Sequence, residues 1–504
     1  MSNADRLSAL DAMFLHVETL TSPMHVGMVC RLEGGPIRKK NGAIDRDFLF
    51  RQTASRLDRA PRFRQRVQGP ALGQGRPSWV DDPHFNIAYH VRFTGLPRPG
   101  GGAELKLLAG RILSQMLDRS RPLWEMYWVD GLENDEIGLV WKIHHCMVDG
   151  VSGVEVATLL FDSEAKAPAP PPLETWKPRP LPKLGQRVGS AFAEGAAASR
   201  EWLGQARAVL VNPEAMAQRL KQDFEGLGSW IGKGLAPRTC INVPIGPHRR
   251  VDWVMVPLAE VKRVKNTLGG TINDVALAVV AGALRRYLVH RGEKVTGVDL
   301  HVGIPVSVRR DTEKQNLGNK VSAIATLLPV GERDPAKRYR EICKRTELEK
   351  RSFAANAAQT LTNLPGAPPA TLLQQVARMQ WAQRVLNLVV TNVPGPQQPL
   401  YVGGARLLEI APYLPLGPNV ALGIAVLSYD GKLGFGLIGD YDVLSDIGAL
   451  ADQFQDSWQE LIAAIDRPAR RRASGGRGNQ RGAKPPAGIR SAPAKKLARK
   501  SRRR

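Results

Sequence analysis

Seven prolines fall within residues 168–182, and neither a helix interior nor a central strand can pass through such a stretch. It reads as a semi-rigid linker that divides the chain. A mixed α/β block precedes it. Residues 184–235, rich in Ala, Arg, Gln and Leu, read as helices of weak amphipathicity, and a second α/β block runs from about 239 to 466. A chain of 504 residues has room for such a division, at ~100–200 residues per domain.

Within the blocks, residues 125–129 and 137–143 are β-rich runs joined through 131–136, so a hairpin is expected. His144-His145-Cys146-Met147-Val148-Asp149-Gly150 follows at once, and a helix is expected from near Ser152 through Val154, Ala157, Leu160 and Phe161. In the second block Thr271 stands where an N-cap belongs, ahead of Val275, Ala278, Val279 and Gly282 at helical spacing. Val298, Leu300, Val302, Ile304 and Val306 alternate as a strand. Residues 421–429 and 433–438 flank Asp430-Gly431-Lys432, a hairpin signal, and 446–465 read as a closing amphipathic helix.

The formal charge of +24 is concentrated at the end: residues 467–504 hold 15 Lys/Arg and no acid, leaving a surplus of 9 elsewhere. With almost no large apolar residue, this tail is expected to be disordered. Attraction to anionic lipid headgroups and a merely solvated tail are both open readings. Nucleic-acid binding is less favoured, because no stacking aromatic interleaves the basic residues. Four cysteines without a C-x-x-C pair exclude a disulfide scaffold and a Cys-rich zinc site. No apolar run nears the ~20 residues that span a bilayer. Asp5 and Asp11 near the start, with no apolar core between, do not read as a signal peptide. A cytoplasmic-side enzyme, soluble or peripherally bound, is expected.

The chemistry concentrates at His144-His145-x-x-x-Asp149-Gly150. Imidazole is the side chain whose ordinary pKa suits proton abstraction near neutral pH, and a strand end is a place where such a base can meet substrate. The alternatives are two histidines satisfied by backbone groups with Asp149 as a helix cap, or a metal site. The metal reading is weak, because adjacent strand residues point to opposite faces and no close third ligand follows. Cys146 sits beside the histidines, but a nucleophilic thiol would be expected to show a base oriented towards it, and that reading is not favoured. Gly150-Val151-Ser152-Gly153 lacks the second spacing of a hydrolase elbow. Gly434-Phe435-Gly436-Leu437-Ile438-Gly439 matches G-x-G-x-x-G but lies in a hairpin strand and opens no helix.

The segment resembles the HHxxxDG motif of the CoA-dependent acyltransferase superfamily, and the chain is similar to bacterial wax ester synthase/diacylglycerol acyltransferases over most of residues 1–466. The resemblance rests on Leu7-Ser8-Ala9-Leu10-Asp11-Ala12-Met13-Phe14-Leu15, Pro23-Met24-His25-Val26-Gly27 and Asp118-Arg119-Ser120-Arg121-Pro122-Leu123-Trp124-Glu125. Ile245-Gly246-Pro247-His248-Arg249-Arg250, Asn273-Asp274 and Thr391-Asn392-Val393-Pro394-Gly395-Pro396 complete the set, in this order. It implies an α/β fold of two chloramphenicol-acetyltransferase-like domains with a tunnel between them. The boundaries expected are 1–165 and 239–466 for the two domains, 166–238 for the Pro-rich and helical connector and 467–504 for the tail.

It further implies transfer of a fatty acyl group from acyl-CoA to diacylglycerol or a long-chain alcohol, with His145 as general base. Acyl-CoA is then a substrate, and no cofactor or metal is expected. Asp149 would hold the loop through an arginine, Gly150 would let backbone approach closely, His144 would be structural, and Asn273 either lines the reaction centre or caps its helix. Pro122, Leu123 and Trp124 are expected in the core. Both acceptors live in membranes, so contact with a membrane surface is expected, on the inner face of the plasma membrane or on lipid bodies, and specific nucleic acid is not. The rivals are another HHxxxDG enzyme, of polyketide-ester or peptide-condensation type, and an inactive surface-binding protein.

Overall fold

The protein is seen in a computed structural model that describes residues 6–70, 76–147, 160–166, 168–181, 185, 188–189, 200, 234–307, 321–360 and 385–474. The N-terminal half runs α1 (Ala9–Val17), β1 (His25–Glu33), α2 (Arg46–Arg56), β2 (Gln65–Gln68), β3 (Ser78–Asp81), α3 (Ile87–His90), β4 (Val91–Gly95), α4 (Gly102–Ser114), β5 (Trp124–Asp130) and β6 (Glu136–His144). The C-terminal half runs β7 (Arg249–Pro257), α5 (Leu258–Leu268), α6 (Ile272–His290), β8 (Leu300–Ser307), β9 (Val321–Leu328) and α7 (Pro335–Thr360). It continues through β10 (Leu388–Pro394), β11 (Tyr401–Val402), β12 (Ala405–Tyr413), β13 (Leu422–Tyr429), β14 (Lys432–Asp440) and α8 (Ile447–Ser474).

The described residues form two six-stranded mixed sheets, ordered β11-β12-β1-β6-β5-β4 and β7-β14-β13-β10-β8-β9, with β2 and β3 as a separate pair. The expected hairpin of β5 and β6 is present, with Trp124 opposite Ile143. So is that of β13 and β14, whose turn residues Asp430 and Gly431 both take positive φ, as a two-residue primed turn requires. The strand expected from Val298 begins two residues later, at Leu300. Thr271 caps α6 as expected. Its hydroxyl accepts from the Asp274 N–H while the Asp274 carboxylate accepts from the Thr271 N–H, a reciprocal pair that satisfies two donors left over at a helix start. Helix α6 then buries Val275 to Leu284 among β-strands, α7 and α8. No single helix among the described residues is long and apolar enough to cross a membrane.

The division at residue 239 needs correction for one segment. β11 and β12 lie in the C-terminal half of the chain but pair in the N-terminal sheet, where Cys30 stands opposite Ile410 and Gly27 opposite Tyr413. β12 also crosses over β14. A Cβ on Gly436 would sit 1.7 Å from the Pro412 carbonyl oxygen and one on Gly434 3.0 Å from that of Ile410, so these glycines let two backbones touch. The G-x-G-x-x-G run is thereby a packing feature of a strand. A seam of Val29, Ile112, Tyr127, Val140, Val251, Tyr413 and Ile438 joins the two halves.

Two further boundaries differ from expectation. α8 continues to Ser474, eight residues into the segment expected to be disordered from 467. The Pro-rich linker is held against the N-terminal half in its later part: the Trp176 indole donates to the Asp82 carbonyl, and Arg179 pairs with Asp81. The expected helix start near Ser152, nearly all of the connector over 184–235 and the rest of the tail lie outside the described residues.

Candidate active site

β6 carries the histidine pair to its place. Lying between β1 and β5 in the sheet, it is buried from Ile137 onward and apolar but for Lys142 and His144, and it sets His144 directly opposite His25 on β1. The His144 N–H donates to the Leu123 carbonyl at 2.9 Å, so the Pro122-Leu123-Trp124 block supports the strand end. Leu123 and Trp124 are fully buried, and the Trp124 indole donates to the Phe63 carbonyl.

His144 is completely enclosed. Its Nδ1 accepts from the Cys146 N–H at 3.1 Å, which places the proton on Nε2, and Nε2 lies 3.4 Å from Glu18 Oε1. Glu18, just past the end of α1, also accepts from the Met24 N–H at 2.9 Å and from Arg119, whose guanidinium additionally donates to the Leu15 carbonyl. Burial alone would raise the Glu18 carboxyl pKa. His144, the Met24 N–H and Arg119 outweigh it and hold the pKa down to about 2. The His144 ring is thus enclosed between Glu18 and the Cys146 N–H, away from solvent.

His145 stands in the turn after β6, half-buried. Its N–H donates to the Met24 carbonyl at 2.8 Å, and its ring stacks on Phe14 of α1 with centroids 4.0 Å apart and planes inclined by 20°. The adjacent Cys146 is buried, and burial pushes its thiol pKa well up, which removes the thiolate that a nucleophile would need. Asp149 and Gly150 lie outside the described residues.

Further buried charge flanks the pair. Lys142, two residues before His144 on the same face of β6, donates to the Gln115 carbonyl at 2.8 Å and pairs with Glu125 at 3.1 Å. Glu125 in turn accepts from Arg92 and from the Tyr127 hydroxyl. Burial draws the Lys142 pKa down, with Glu125 opposing. From the C-terminal half, Asn273 stands in the first turn of α6, where its Oδ1 accepts from Asn392 of β10 at 3.3 Å. The cap of α6 is Thr271 with Asp274, which answers the capping reading of Asn273, and Asp274 is further held by Thr346. Glu18, Arg119 and the stacking role of Phe14 were not foreseen from sequence. The signal available was the i, i+4 spacing of Phe14 and Glu18 along one face of a helix.

The wax ester synthase/diacylglycerol acyltransferase catalytic domain matches residues 7–276, and the C-terminal domain of the same family matches residues 317–462. A Mycobacterium tuberculosis protein named probable diacylglycerol O-acyltransferase tgs1 is 32% identical over 473 residues, covering 92% of this chain and 97% of its own. The solved wax ester synthase/diacylglycerol acyltransferase from Marinobacter aquaeolei VT8 is 26% identical, with a TM-score of 0.63 over 91% of this chain and 99% of its own. The first condensation domain of the calcium-dependent antibiotic synthetase, 15% identical, shares the fold with a TM-score of 0.58 over 93% of this chain and 98% of its own. On the extent of these matches, the chain belongs to the wax ester synthase/diacylglycerol acyltransferase family.

Proposed function

We propose that this chain transfers a fatty acyl group from acyl-CoA to the free hydroxyl of diacylglycerol, giving triacylglycerol, and to long-chain alcohols, giving wax esters. A hydroxyl is a weak nucleophile, so a base must take its proton as the oxygen attacks the thioester carbonyl. In this reading the His145 imidazole takes that proton, the tetrahedral adduct collapses with cleavage of the carbon–sulfur bond, and the imidazolium returns the proton to the departing CoA thiolate. No acyl-enzyme is required. The observation that carries the reading is the placement of His145: a strand-end imidazole whose ring is held flat on Phe14 and whose backbone is pinned to Met24. Preset orientation of this kind is what proton transfer at a bound substrate needs. Asn273 and Asn392 are proposed to bring polar groups to the same centre from the other half of the chain. Contact with a membrane surface, on the cytoplasmic side, fits acceptors that reside in membranes, and the basic C-terminal segment supplies attraction to anionic lipid.

Labelled palmitoyl-CoA offered with diacylglycerol, hexadecanol or water tests this directly. Product ester is expected with the two lipid acceptors, and His145→Ala should lower turnover by ~10²–10⁴ while the protein stays folded. Wild-type turnover by folded His145→Ala protein, or acyl transfer to water alone, would overturn the reading.

A further inference from the structure

We propose that Glu18 is the positioning residue of this enzyme, acting with Phe14 to hold the His145 imidazole in its working orientation. The inference rests on the reading of His145 as general base.

Phe14 and Glu18 stand one helical turn apart at the C-terminal end of α1 and meet consecutive residues of the motif. Phe14 lies against the ring of His145, and Glu18 lies against Nε2 of His144. The Glu18 carboxylate is shared among three elements. Its Oε1 takes the Met24 N–H at the start of β1 and faces His144 at the end of β6, while its Oε2 takes Arg119 from the loop before β5. The Met24 carbonyl then takes the His145 N–H, so one residue, Met24, links the carboxylate to the backbone of the base. Arg119 also fastens the end of α1 through the Leu15 carbonyl. The Glu18 side chain is 1% exposed and that of His144 fully buried, so neither touches solvent, and neither has another assigned task. A carboxylate taken out of water at this depth destabilises the fold unless its partners recover the loss. Its arrangement around the base gives it a use: loss of Glu18 releases α1, and with it the ring on which His145 rests.

The test uses the full chain with palmitoyl-CoA and diacylglycerol, comparing wild type, Glu18→Gln, His144→Gln, the double variant, Phe14→Leu and His145→Ala. Misplacing a catalytic group by about 1 Å costs up to ~10²-fold, so Glu18→Gln and Phe14→Leu should each lower kcat by about 10- to 100-fold with KM for acyl-CoA unchanged. The solvent deuterium isotope effect on kcat should rise as proton abstraction becomes slower, a ratio that loss of folded protein does not move. The double variant should be no slower than the slower of the two single ones, because both remove the same contact. Wild-type kcat in Glu18→Gln and Phe14→Leu, or a lowered kcat with an unchanged isotope effect, overturns the proposal. Should Glu18→Gln yield no soluble protein, Phe14→Leu decides alone by the same two readouts. His145→Ala separates the two levels: activity there removes the general-base reading itself. Inactivity there, with Glu18→Gln and Phe14→Leu behaving as wild type, removes only the positioning role.

Discussion

Lowering the pH from 7.5 to 5 should destabilise this protein well before its carboxylates titrate, because two buried histidines cannot take up protons in the fold. His25 is 5% exposed and His90 1%. Burial, assisted by the charge of Lys142, brings the His25 pKa down to about 3 against a weaker opposing bond to the Leu113 carbonyl. Burial brings that of His90 down to about 4, opposed by its bond to the Trp124 carbonyl. Unfolded, both bind protons near pH 6.5. Between that value and the folded ones the unfolded state holds more protons, so stability rises with pH there and falls as pH drops. At pH 5 each histidine costs about 2 kcal/mol relative to pH 7.5, about 4 kcal/mol together. Glu18, held down to about 2, adds a loss in the same direction only below the ordinary glutamate range near 4.5, so the two windows separate. The assay is the urea midpoint by circular dichroism at steps from pH 7.5 to 5. His90→Phe keeps the stack with Phe85 and Trp124 but cannot protonate, and should remove about half of the dependence. A midpoint flat across this range, or an undiminished slope in His90→Phe, would refute the reasoning.

Gly436→Ala should lower thermal stability by ~1–3 kcal/mol, since its methyl would fall on the Pro412 carbonyl and force β12 off β14. An unchanged melting temperature would show that the crossing strand moves freely. Deleting residues 475–504, which carry 11 basic residues and no acid beyond the end of α8, should leave turnover on detergent-dispersed substrate unchanged. The same deletion should weaken binding to anionic vesicles at low salt, where the Debye length is long. Equal co-sedimentation of the two proteins would deny the segment an anchoring role.

The legible parts of the sequence were those governed by local rules. The β13–β14 turn shows in Asp430-Gly431, the α6 start in Thr271, and the β5–β6 hairpin in its apolar runs. The histidine pair stood out because its spacing within HHxxxDG matches that of a family. The β11–β12 excursion was not, because a strand of ordinary pattern carries no mark of which sheet it joins, and the choice is made by register against β1. The glycines of β14 hinted at a close approach without naming the partner. Glu18 escaped for a similar reason: of its partners His144, Met24 and Arg119, two lie more than a hundred residues away in the chain. An acid at a helix end otherwise reads as solvated.

The excursion of β12 also governs how the chain must be assembled. Arg31 waits for Glu409 across nearly the whole polypeptide, so during synthesis β1 remains an open edge until the second half has emerged. That edge alternates Val26, Met28, Cys30 and Leu32, an apolar row with unpaired backbone groups, which is the kind of surface that recruits foreign strands. Pairings between distant parts of a chain are also slow to form. Gene fragments cut within the Pro-rich linker would therefore each be incomplete, one short of its outer strands and the other with strands that have no sheet to enter. The N-terminal sheet is complete only with strands from the other half, and those strands need its β1.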